Sequence, residues 1–197
     1  MPKVSEEYRT AKRAEIAGAA LRAFSRRGFH ATSMADIIAE SGMSAGAIYG
    51  IFSSKSDIVF DVASRVIGGR VHDISRLADS TPMPPPSELL GVLMRGMIGE
   101  LGSPAILVQL WGEAVTDLQL RALASGVFDR LVSAYRAYIS LWQQREHGLD
   151  PKAADTVARE QTPLFLAASQ GFILQAAIFH DFDPEFFLDR VARHLPR

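Results

Sequence analysis

The sequence predicts an all-α fold, on the strength of three observations. Apolar residues recur three and four positions apart along nearly the whole chain, which is the spacing of one face of an α-helix. No segment alternates apolar and polar residues cleanly over the length of a strand. Glycine, proline and capping residues divide the pattern into segments of helical length. We therefore expect a three-helix N-terminal head followed by an antiparallel helical bundle.

Composition limits the class of protein. The chain has 197 residues, of which 48% are apolar and 22% charged, and it contains no cysteine. Its length fits one domain or two small ones, and its apolar content excludes a disordered chain. The lack of cysteine excludes disulfides, thiolate zinc sites and cysteine nucleophiles. No apolar run reaches the roughly 18–20 residues of a membrane span, and the charged N-terminus lacks the apolar segment of a signal peptide. We expect a cytoplasmic protein with no membrane partner.

The head begins with a helix that we expect to run from Glu6 to Arg27. It should end at Gly28, because glycine tolerates the left-handed geometry found after helix C-termini. Ser33 and Asp36 have the spacing of a capping box, which predicts the start of a second, short helix. A third helix is expected over residues 45–52.

A tight turn separates the second helix from the third. Gly42 permits the sharp change of direction, and Ser44 is a favourable N-cap for the third helix. Small side chains in that helix would let its backbone lie deep in a major groove about 12 Å wide. Tyr49 lies on the same side and can reach a phosphate or a thymine methyl group. The arrangement is a helix-turn-helix in outline. The small residues are Ala45, Gly46, Ala47 and Gly50.

The C-terminal part is expected to be entirely helical. A fourth helix of about 25 residues follows a serine cap at position 53 or 54 and connects the head to the body. The proline-rich residues 80–86 cannot form a helix and are the clearest linker in the chain. A long helix that ends near His180 is expected to bend at Pro163. The helices after the linker are expected to begin at Ser87, Pro104, Asp117, Asp150 and Asp183.

Charge is unevenly distributed along the chain. Residues 1–55 contain eight basic and five acidic residues, a net charge of +3, whereas the remainder contains thirteen basic and seventeen acidic residues, a net charge of −4. A basic region on an acidic body favours contact with a polyanion through the basic part. Ordinary scatter of surface charge explains the same distribution equally well.

Residues 32–58 closely resemble the DNA-binding signature of the TetR family of bacterial transcriptional regulators. The preceding helix also fits, and the resemblance covers about residues 9–58; the rest of the chain matches only in length and helical layout. The features in the signature are Thr32, Ser33, Asp36, Ile37, Gly42, Ser44, Gly46, Ile48, Tyr49, Phe52 and Lys55. Those in the first helix and the turn after it are Ile16, Ala20, Phe24, Gly28 and Phe29.

The resemblance implies a TetR-like homodimeric repressor of double-stranded DNA that a small-molecule effector releases. It implies a DNA-binding domain over residues 1–55 and a ligand-binding and dimerisation domain over residues 56–197. Lys12 or Arg13 would supply arm or backbone contacts. The implied phosphate contacts are Thr32, Ser33, Ser44, Tyr49 and Lys55. The residues implied to face base edges are Ala45, Gly46, Tyr49 and Gly50.

Three positions depart from the family pattern. Ile51 stands where the family often has a histidine or tyrosine that touches phosphate, Ile38 replaces a usual alanine, and Met43 replaces a usual valine or leucine. Together with the small residues of the third helix, these departures shift the expected base readout from side-chain hydrogen bonds toward backbone and DNA shape.

Aromatic and methionine residues at helical spacing in the body are explained by a packed core. The resemblance implies a cavity between the fourth, fifth, seventh and eighth helices. The segments expected to form its walls contain few charged residues, which favours a neutral or hydrophobic ligand. The candidate ligand-binding residues are Met97, Gln109, Trp111, Tyr135, Tyr138, Phe165, Ser169 and Gln170.

Residues 153–177 are rich in small side chains, which allow helices to approach closely. With the last helix they favour an intersubunit four-helix bundle, at the location that the resemblance also implies; packing within one chain is the alternative. The candidate interface residues are Ala167, Ala168, Gly171, Phe186 and Phe187.

The sequence offers no constellation for catalysis. Its five histidines are scattered, and no metalloprotease-type pair, nucleophile elbow or phosphate-binding loop is present. We therefore expect no enzyme activity, no cofactor and no metal. The leading hypothesis is a ligand-responsive DNA-binding repressor with a palindromic operator. The alternative is a helical small-molecule-binding or adaptor protein that no longer binds DNA, a possibility motivated by Ile51 and by the two glycines of the third helix.

Overall fold

The computed structural model describes residues 6–196, and within them it contains helices and no strand, which confirms the all-α prediction. Residues 1–5 lie outside the described residues. They include the lysine at position 3, which was counted in the predicted basic region, and part of the segment judged not to be a signal peptide. The helices are α1 (Glu6–Arg27), α2 (Met34–Ser41), α3 (Ala45–Tyr49), α4 (Lys55–Ala78), α5 (Pro86–Leu101), α6 (Ala105–Thr116), α7 (Leu118–His147), α8 (Pro151–Ile178) and α9 (Pro184–His194).

Residues close by in the sequence determine where α2 begins and ends and where α3 begins. Ser33 and Asp36 form the predicted capping box, in which each side chain accepts a hydrogen bond from the other residue's backbone N–H. Gly42 ends α2 with a φ of 66°, in the left-handed region that glycine occupies without steric cost. Ser44 caps α3 by accepting a hydrogen bond from the Ala47 N–H.

Helix α3 is shorter than predicted, because it ends at Tyr49 rather than at Phe52. The N–H groups of Ile51 and Phe52 both bond to the Ile48 carbonyl, so the chain turns away from the helix axis after Gly50. The turn directs the Phe52 side chain inward, where it is 2% exposed. Burial of an aromatic side chain of this kind stabilises a fold by about 1.5–3 kcal/mol, and the Phe52 N–H keeps its hydrogen bond to the Ile48 carbonyl four residues earlier.

A single apolar core joins the first three helices to the rest of the chain. Phe24 of α1, Ile37 of α2 and Ile48 of α3 are buried together, and the core continues into α4 through Ile58. Helix α4 packs along α7, and α7 packs along α8. Helix α6 packs on α7 and α8, whereas α5 lies between α4 and α9. These packing relationships enclose a space between α4, α5, α6, α7 and α8.

The later helices begin close to the predicted positions. Helix α5 begins at Pro86, one residue before the predicted Ser87, since proline is well tolerated in the first turn. Pro163 lies inside α8, and the bend there stays a prediction. Between residues 6 and 196 no single helix has the length and hydropathy of a membrane span; α5 and α6 meet the criterion only as a pair, and they are bent by 91° at their junction.

Candidate functional site

One face of α3 is exposed and formed by small residues. Ala45, Gly46 and Gly50 are exposed, and Tyr49 is 53% exposed, whereas Ile48 of the same helix is completely buried. A β-carbon built on Gly46 would meet no atom within 4 Å, so the space above the backbone is open. The predicted base-facing residues therefore share one accessible surface, which we call the α3 face.

Two exposed serines cap the helices of this region, Ser33 at the start of α2 and Ser44 at the start of α3. The Ser33 hydroxyl donates to the Asp36 carboxylate at 2.7 Å, and this hydrogen bond holds the pKa of that carboxyl below its ordinary value. The Ser44 hydroxyl oxygen accepts from the Ala47 N–H at 3.2 Å. Both side chains lie at helix N-termini, where backbone N–H groups and the helix dipole favour an anion.

Thr32 does not present its hydroxyl to solvent, which corrects its prediction as a phosphate contact. The residue is 1% exposed, and its hydroxyl donates to the Gly28 carbonyl at 2.7 Å. A buried hydroxyl needs such a partner. Thr32 thus stabilises the turn between α1 and α2.

Lys55 is also occupied within the chain, contrary to its prediction as a phosphate contact. Its Nζ donates to the carbonyls of Phe29 and Thr32, each at 2.9 Å, and to the His30 carbonyl at 3.4 Å. An ammonium group has three donors, and all three are used here. The ammonium also lies 4.3 Å from the centre of the Phe29 ring. Partial burial lowers the pKa of Lys55, and nearby Glu113 opposes that effect.

The cations predicted to supply arm or backbone contacts form ion pairs. Lys12 lies 2.6 Å from Glu15, and Arg13 lies 2.8 Å from Asp61 and over the ring of Phe52. The positive charge of this region is therefore largely matched by carboxylates. The other pairs in the same region are Arg22 with Glu40, Arg26 with Glu40 and Arg27 with Asp36.

The three residues that depart from the family pattern serve packing. Ile38, Met43 and Ile51 are half-buried and pack against the core. The isoleucine at position 51 therefore exchanges an expected phosphate contact for apolar contact under α3.

An apolar cavity of about 120 Å³ lies between α4, α5, α6, α7 and α8. The inclusion of α6 extends the prediction, which named only the fourth, fifth, seventh and eighth helices. Aliphatic and aromatic side chains form nearly all of its wall. Five of the predicted ligand-binding residues line it: Met97, Trp111, Tyr135, Ser169 and Gln170.

The other three predicted ligand-binding residues do not line the cavity, and the prediction is corrected there. The Gln109 side chain turns the opposite way and accepts a hydrogen bond from the Phe29 N–H at 2.7 Å. The Tyr138 hydroxyl donates to the Pro84 carbonyl at 2.7 Å. Phe165 is fully buried behind Tyr135, with their rings stacked 6.1 Å apart.

Two polar side chains face the cavity from α7 and α8. The Tyr135 hydroxyl is buried beside Ser169, and burial raises the pKa of that hydroxyl while the serine opposes the effect. The Ser169 hydroxyl donates to the Phe165 carbonyl at 2.8 Å, one turn earlier in α8. The two hydroxyls therefore form one small polar group in an otherwise apolar wall.

Arg70 lines the cavity and was not among the predicted residues. Its side chain is 12% exposed, and Nε and Nη1 are buried with no hydrogen-bond partner among residues 6–196. The spacing signal was present in the sequence: Val62, Val66 and Arg70 are four residues apart, which places the arginine on the apolar face of α4.

An exposed apolar stripe runs along α8. Leu164, Ala167, Gly171, Leu174 and Ile178 follow one another at intervals of three and four residues, and all are exposed except Gly171, which is half-buried. We call this set the α8 stripe. Its spacing is that of a helix face that packs on another helix.

The predicted interface residues divide between this surface and the core. Ala167 and Gly171 lie on the α8 stripe, and Phe186 of α9 is 62% exposed. Ala168 instead packs against the core, and the Phe187 ring lies 5.6 Å from that of Phe172. Both residues are half-buried and pack within the chain, and their role in an interface stays a prediction.

A family model described as "Bacterial regulatory proteins, tetR family" matches residues 16–62, a segment that contains the turn, α2, α3 and the α3 face. Solved structures of transcriptional regulators, including one of the TetR/AcrR family from Aquifex aeolicus, match more than nine-tenths of the chain. Residues 16–62 are a TetR-family DNA-binding segment. The curated relative HTH-type transcriptional regulator YfiR from Bacillus subtilis is 44% identical over 57 residues, which is 29% of this chain and 28% of YfiR.

Two solved structures illustrate the whole-chain similarity of fold. The transcriptional regulator FadR from Bacillus subtilis, in complex with stearoyl-CoA, has a TM-score of 0.71 at 18% identity and covers 92% of this chain and 96% of its own. A transcriptional regulator from Saccharomonospora viridis, in complex with choline, has a TM-score of 0.63 at 19% identity and covers 93% of this chain and 95% of its own. At these identities the likeness establishes the fold.

The arrangement is suited to binding. Among the described residues no group of three histidine, aspartate or glutamate side chains could hold a metal ion. The described residues offer three features for binding, which are an exposed helix face of small residues, an apolar cavity and an exposed apolar stripe.

Proposed function

We propose that this chain is a TetR-family homodimeric transcriptional repressor that binds a palindromic operator and is released by a small, largely apolar effector. Residues 1–55 would form the DNA-binding domain, and residues 56–197 the domain for the effector and the second subunit. The observation that carries the proposal is the α3 face, an open surface of small residues within the segment that the family model matches.

The α3 face would lie in the major groove. Ala45, Gly46 and Gly50 would allow the helix backbone to approach base edges, and Tyr49 would contact a phosphate or a thymine methyl group. Ser33 and Ser44 would bring helix N-termini to phosphates. In this proposal Thr32 and Lys55 act indirectly, because both brace the turn that supports α2.

The α8 stripe and the exposed part of α9 would form the subunit interface. Ile178 is 60% exposed and Phe179 is 55% exposed, although large apolar residues are normally buried. A second copy would bury them and hold two α3 faces about 34–36 Å apart, one turn of B-DNA.

The cavity would bind the effector. Its wall includes residues of α4 and α6, and these two helices also contact the turn after α1 through Lys55 and Gln109. A ligand that moves either helix would therefore move the α3 face. Because binding energies are reciprocal, the effector would bind the DNA-bound form more weakly.

The test is selection of duplexes from a random-sequence pool, followed by anisotropy titration of the recovered sequences at several salt concentrations. Gly46→Asp would place a carboxylate on the α3 face, and we expect at least a tenfold loss of affinity. Gly126→Asp is the matched control, because Gly126 is also helical, exposed and free of neighbours within 4 Å of a built β-carbon.

Recovery of a palindrome, steep salt dependence and an effect of Gly46→Asp alone would support the proposal. Weak binding that is equal for all sequences and indifferent to Gly46→Asp would instead favour a helical small-molecule-binding or adaptor protein. Ile51 is the observation on which that second candidate rests, since it packs inward where a phosphate contact was expected.

A further inference from the structure

We propose that the cavity binds a compact, uncharged hydrocarbon of about the size of a single aromatic ring, and that it rejects charged and long-chain molecules. This inference rests on the proposed role of the cavity as the effector site. Three properties of the cavity carry it, which are its volume, the chemistry of its wall and the aromatic rings that line it.

The volume of the cavity limits the size of its occupant. The cavity measures about 120 Å³, and an engineered apolar cavity of about 150 Å³ in another protein stays dry and binds benzene. An extended alkyl chain or a molecule of several fused rings needs more space than this. One six-membered ring with at most a small substituent is therefore the largest compact body that the cavity accepts.

The space in the cavity depends on alanines in its wall. Ala63 of α4, Ala114 of α6 and Ala124 of α7 line it, so each of these three helices contributes a side chain of a single carbon. All three alanines are half-buried. A larger aliphatic side chain at one of these positions would occupy part of the volume, which gives a direct way to test whether the cavity is the binding site.

The hydroxyl groups of the wall are used within the chain. The Ser169 hydroxyl donates to the Phe165 carbonyl at 2.8 Å, and the Tyr135 hydroxyl is buried beside that serine. Burial of a charged or polar group without a compensating partner is costly. A charged ligand would lose its hydration in this space and gain no equivalent contact, so the wall favours a hydrocarbon.

Arg70 lines the cavity, but its charge is held at α5 and α4. A β-carbon on Gly96 of α5 would overlap Nη1 of the arginine, so the guanidinium lies against that glycine. Nη2 lies 3.3 Å from Asp73 and 3.7 Å from Glu100. The side chain of an arginine can cover apolar surface with its aliphatic stem while the charged head is placed elsewhere. No aspartate or glutamate is found among the lining residues of the described chain, so a cationic ligand has no counter-charge there either.

Aromatic rings line the cavity from three helices. Phe60 belongs to α4, Trp111 to α6, and Phe128 and Tyr135 to α7. The rings of Trp111 and Phe128 have centres 6.1 Å apart and are tilted by 45°. Offset and tilted aromatic pairs attract one another more than their buried area alone explains. An aromatic ring in the cavity should therefore bind more tightly than a saturated ring with the same number of carbons.

Isothermal titration in the absence of DNA tests the inference with four probes of seven carbons: toluene, methylcyclohexane, benzoate and benzylammonium. We expect toluene to bind about two- to tenfold more tightly than methylcyclohexane, because of the aromatic contacts. Toluene should bind about a hundredfold more tightly than either charged probe, because the charge would be buried without a partner. Hexylbenzene, which extends toluene by five carbons, should bind more weakly than toluene despite its larger apolar surface.

Ala124→Leu should weaken toluene binding by about tenfold or more, because the larger side chain takes up space in the cavity. Ala122→Leu is the matched control, since Ala122 is exposed on the same helix and does not line the cavity. Ala63→Leu fills the same space from α4, and it keeps the test decisive if Ala124→Leu fails to fold.

The inference is wrong if toluene does not bind, if methylcyclohexane or a charged probe binds as tightly as toluene, or if hexylbenzene binds more tightly. It is also wrong if the folded leucine variants of the cavity bind toluene as the wild type does. Operator selection by the wild-type chain is measured separately. An operator without toluene binding would leave the regulator proposal standing, and toluene binding without an operator would leave the ligand class standing.

Discussion

Gln109 and Phe29 are joined by a hydrogen bond in which the glutamine Oε1 accepts from the phenylalanine backbone N–H at 2.7 Å. Gln109 belongs to α6, and its neighbours Leu110 and Trp111 line the cavity. Phe29 lies in the turn between α1 and α2, and its carbonyl accepts from Lys55 at the start of α4. One residue in this turn is therefore held by both helices that connect the cavity to the α3 face.

Removal of the acceptor at position 109 should destabilise the chain. In Gln109→Leu the Phe29 N–H loses its partner in a partly buried place, and we expect a loss of about 1–3 kcal/mol in the free energy of unfolding. Gln109→Glu retains an acceptor of the same reach, so its free energy of unfolding should fall by less. Urea denaturation of the two variants distinguishes them, and equal losses would contradict a specific role for this hydrogen bond.

Substitution of Lys55 should reduce stability more than it alters the salt dependence of DNA binding. Lys55→Ala leaves three carbonyls in the turn without their donor, and we expect a loss of about 1–3 kcal/mol in unfolding free energy. Lys152→Ala is the control, because Lys152 is exposed on α8. Urea denaturation and the slope of log affinity against log salt are the two measurements.

The change in the salt slope on substitution separates two roles for Lys55. A lysine that neutralises a phosphate lowers the salt slope by about one when it is removed. A lysine whose donors are occupied by carbonyls changes stability and leaves the slope as it was. A reduced slope for Lys55→Ala, without loss of stability, would restore the phosphate contact that the sequence predicts.

Local features of the fold were predictable from sequence, and long-range ones were not. The capping box at Ser33, the turn at Gly42 and the cap at Ser44 depend on residues within four positions of one another. Lys55 and Gln109 have side chains whose direction depends on partners brought together by tertiary packing, whereas the Thr32 hydroxyl donates to the Gly28 carbonyl four residues earlier. Lys55 and Phe29 are 26 positions apart, and Gln109 and Phe29 are 80 apart. The family resemblance implied DNA contacts for Thr32 and Lys55, and a polar side chain on an apolar helix face suggested a ligand contact for Gln109.

The capping box at Ser33 should give stability a specific pH dependence. The serine hydrogen bonds lower the pKa of Asp36 below its ordinary value of 3.8. A carboxyl whose pKa is lower in the folded chain contributes stability above pH 3.8, and that contribution disappears as pH falls through the folded pKa. In Ser33→Ala the pKa of Asp36 should rise toward 3.8, as followed by NMR titration of its side-chain carbon.

The matched control for this titration is Ser54→Ala, which removes the cap of α4 and should leave the pKa of Asp36 unchanged. Asp57 provides the internal comparison, because its carboxyl accepts hydrogen bonds from Ser53 and has a lowered pKa for the same reason. If the pKa of Asp36 rose in both variants, the cause would be a general loss of structure rather than loss of the Ser33 hydrogen bonds.

The α8 stripe should control association of two chains. Ile178→Asp introduces a charge at a position that is 60% exposed in the single chain, so the fold should tolerate it. In a dimer that buries this position, the unpaired carboxylate would be costly, and we expect dissociation at micromolar concentrations. Leu118→Asp is the control, since Leu118 is 73% exposed and lies away from the stripe, at the start of α7.

Sedimentation velocity that gives monomers for Ile178→Asp and dimers for the wild type and Leu118→Asp would place the interface on α8. Dimers in all three chains would place it elsewhere, because a buried aspartate without a partner could not be accommodated in an apolar helix–helix contact.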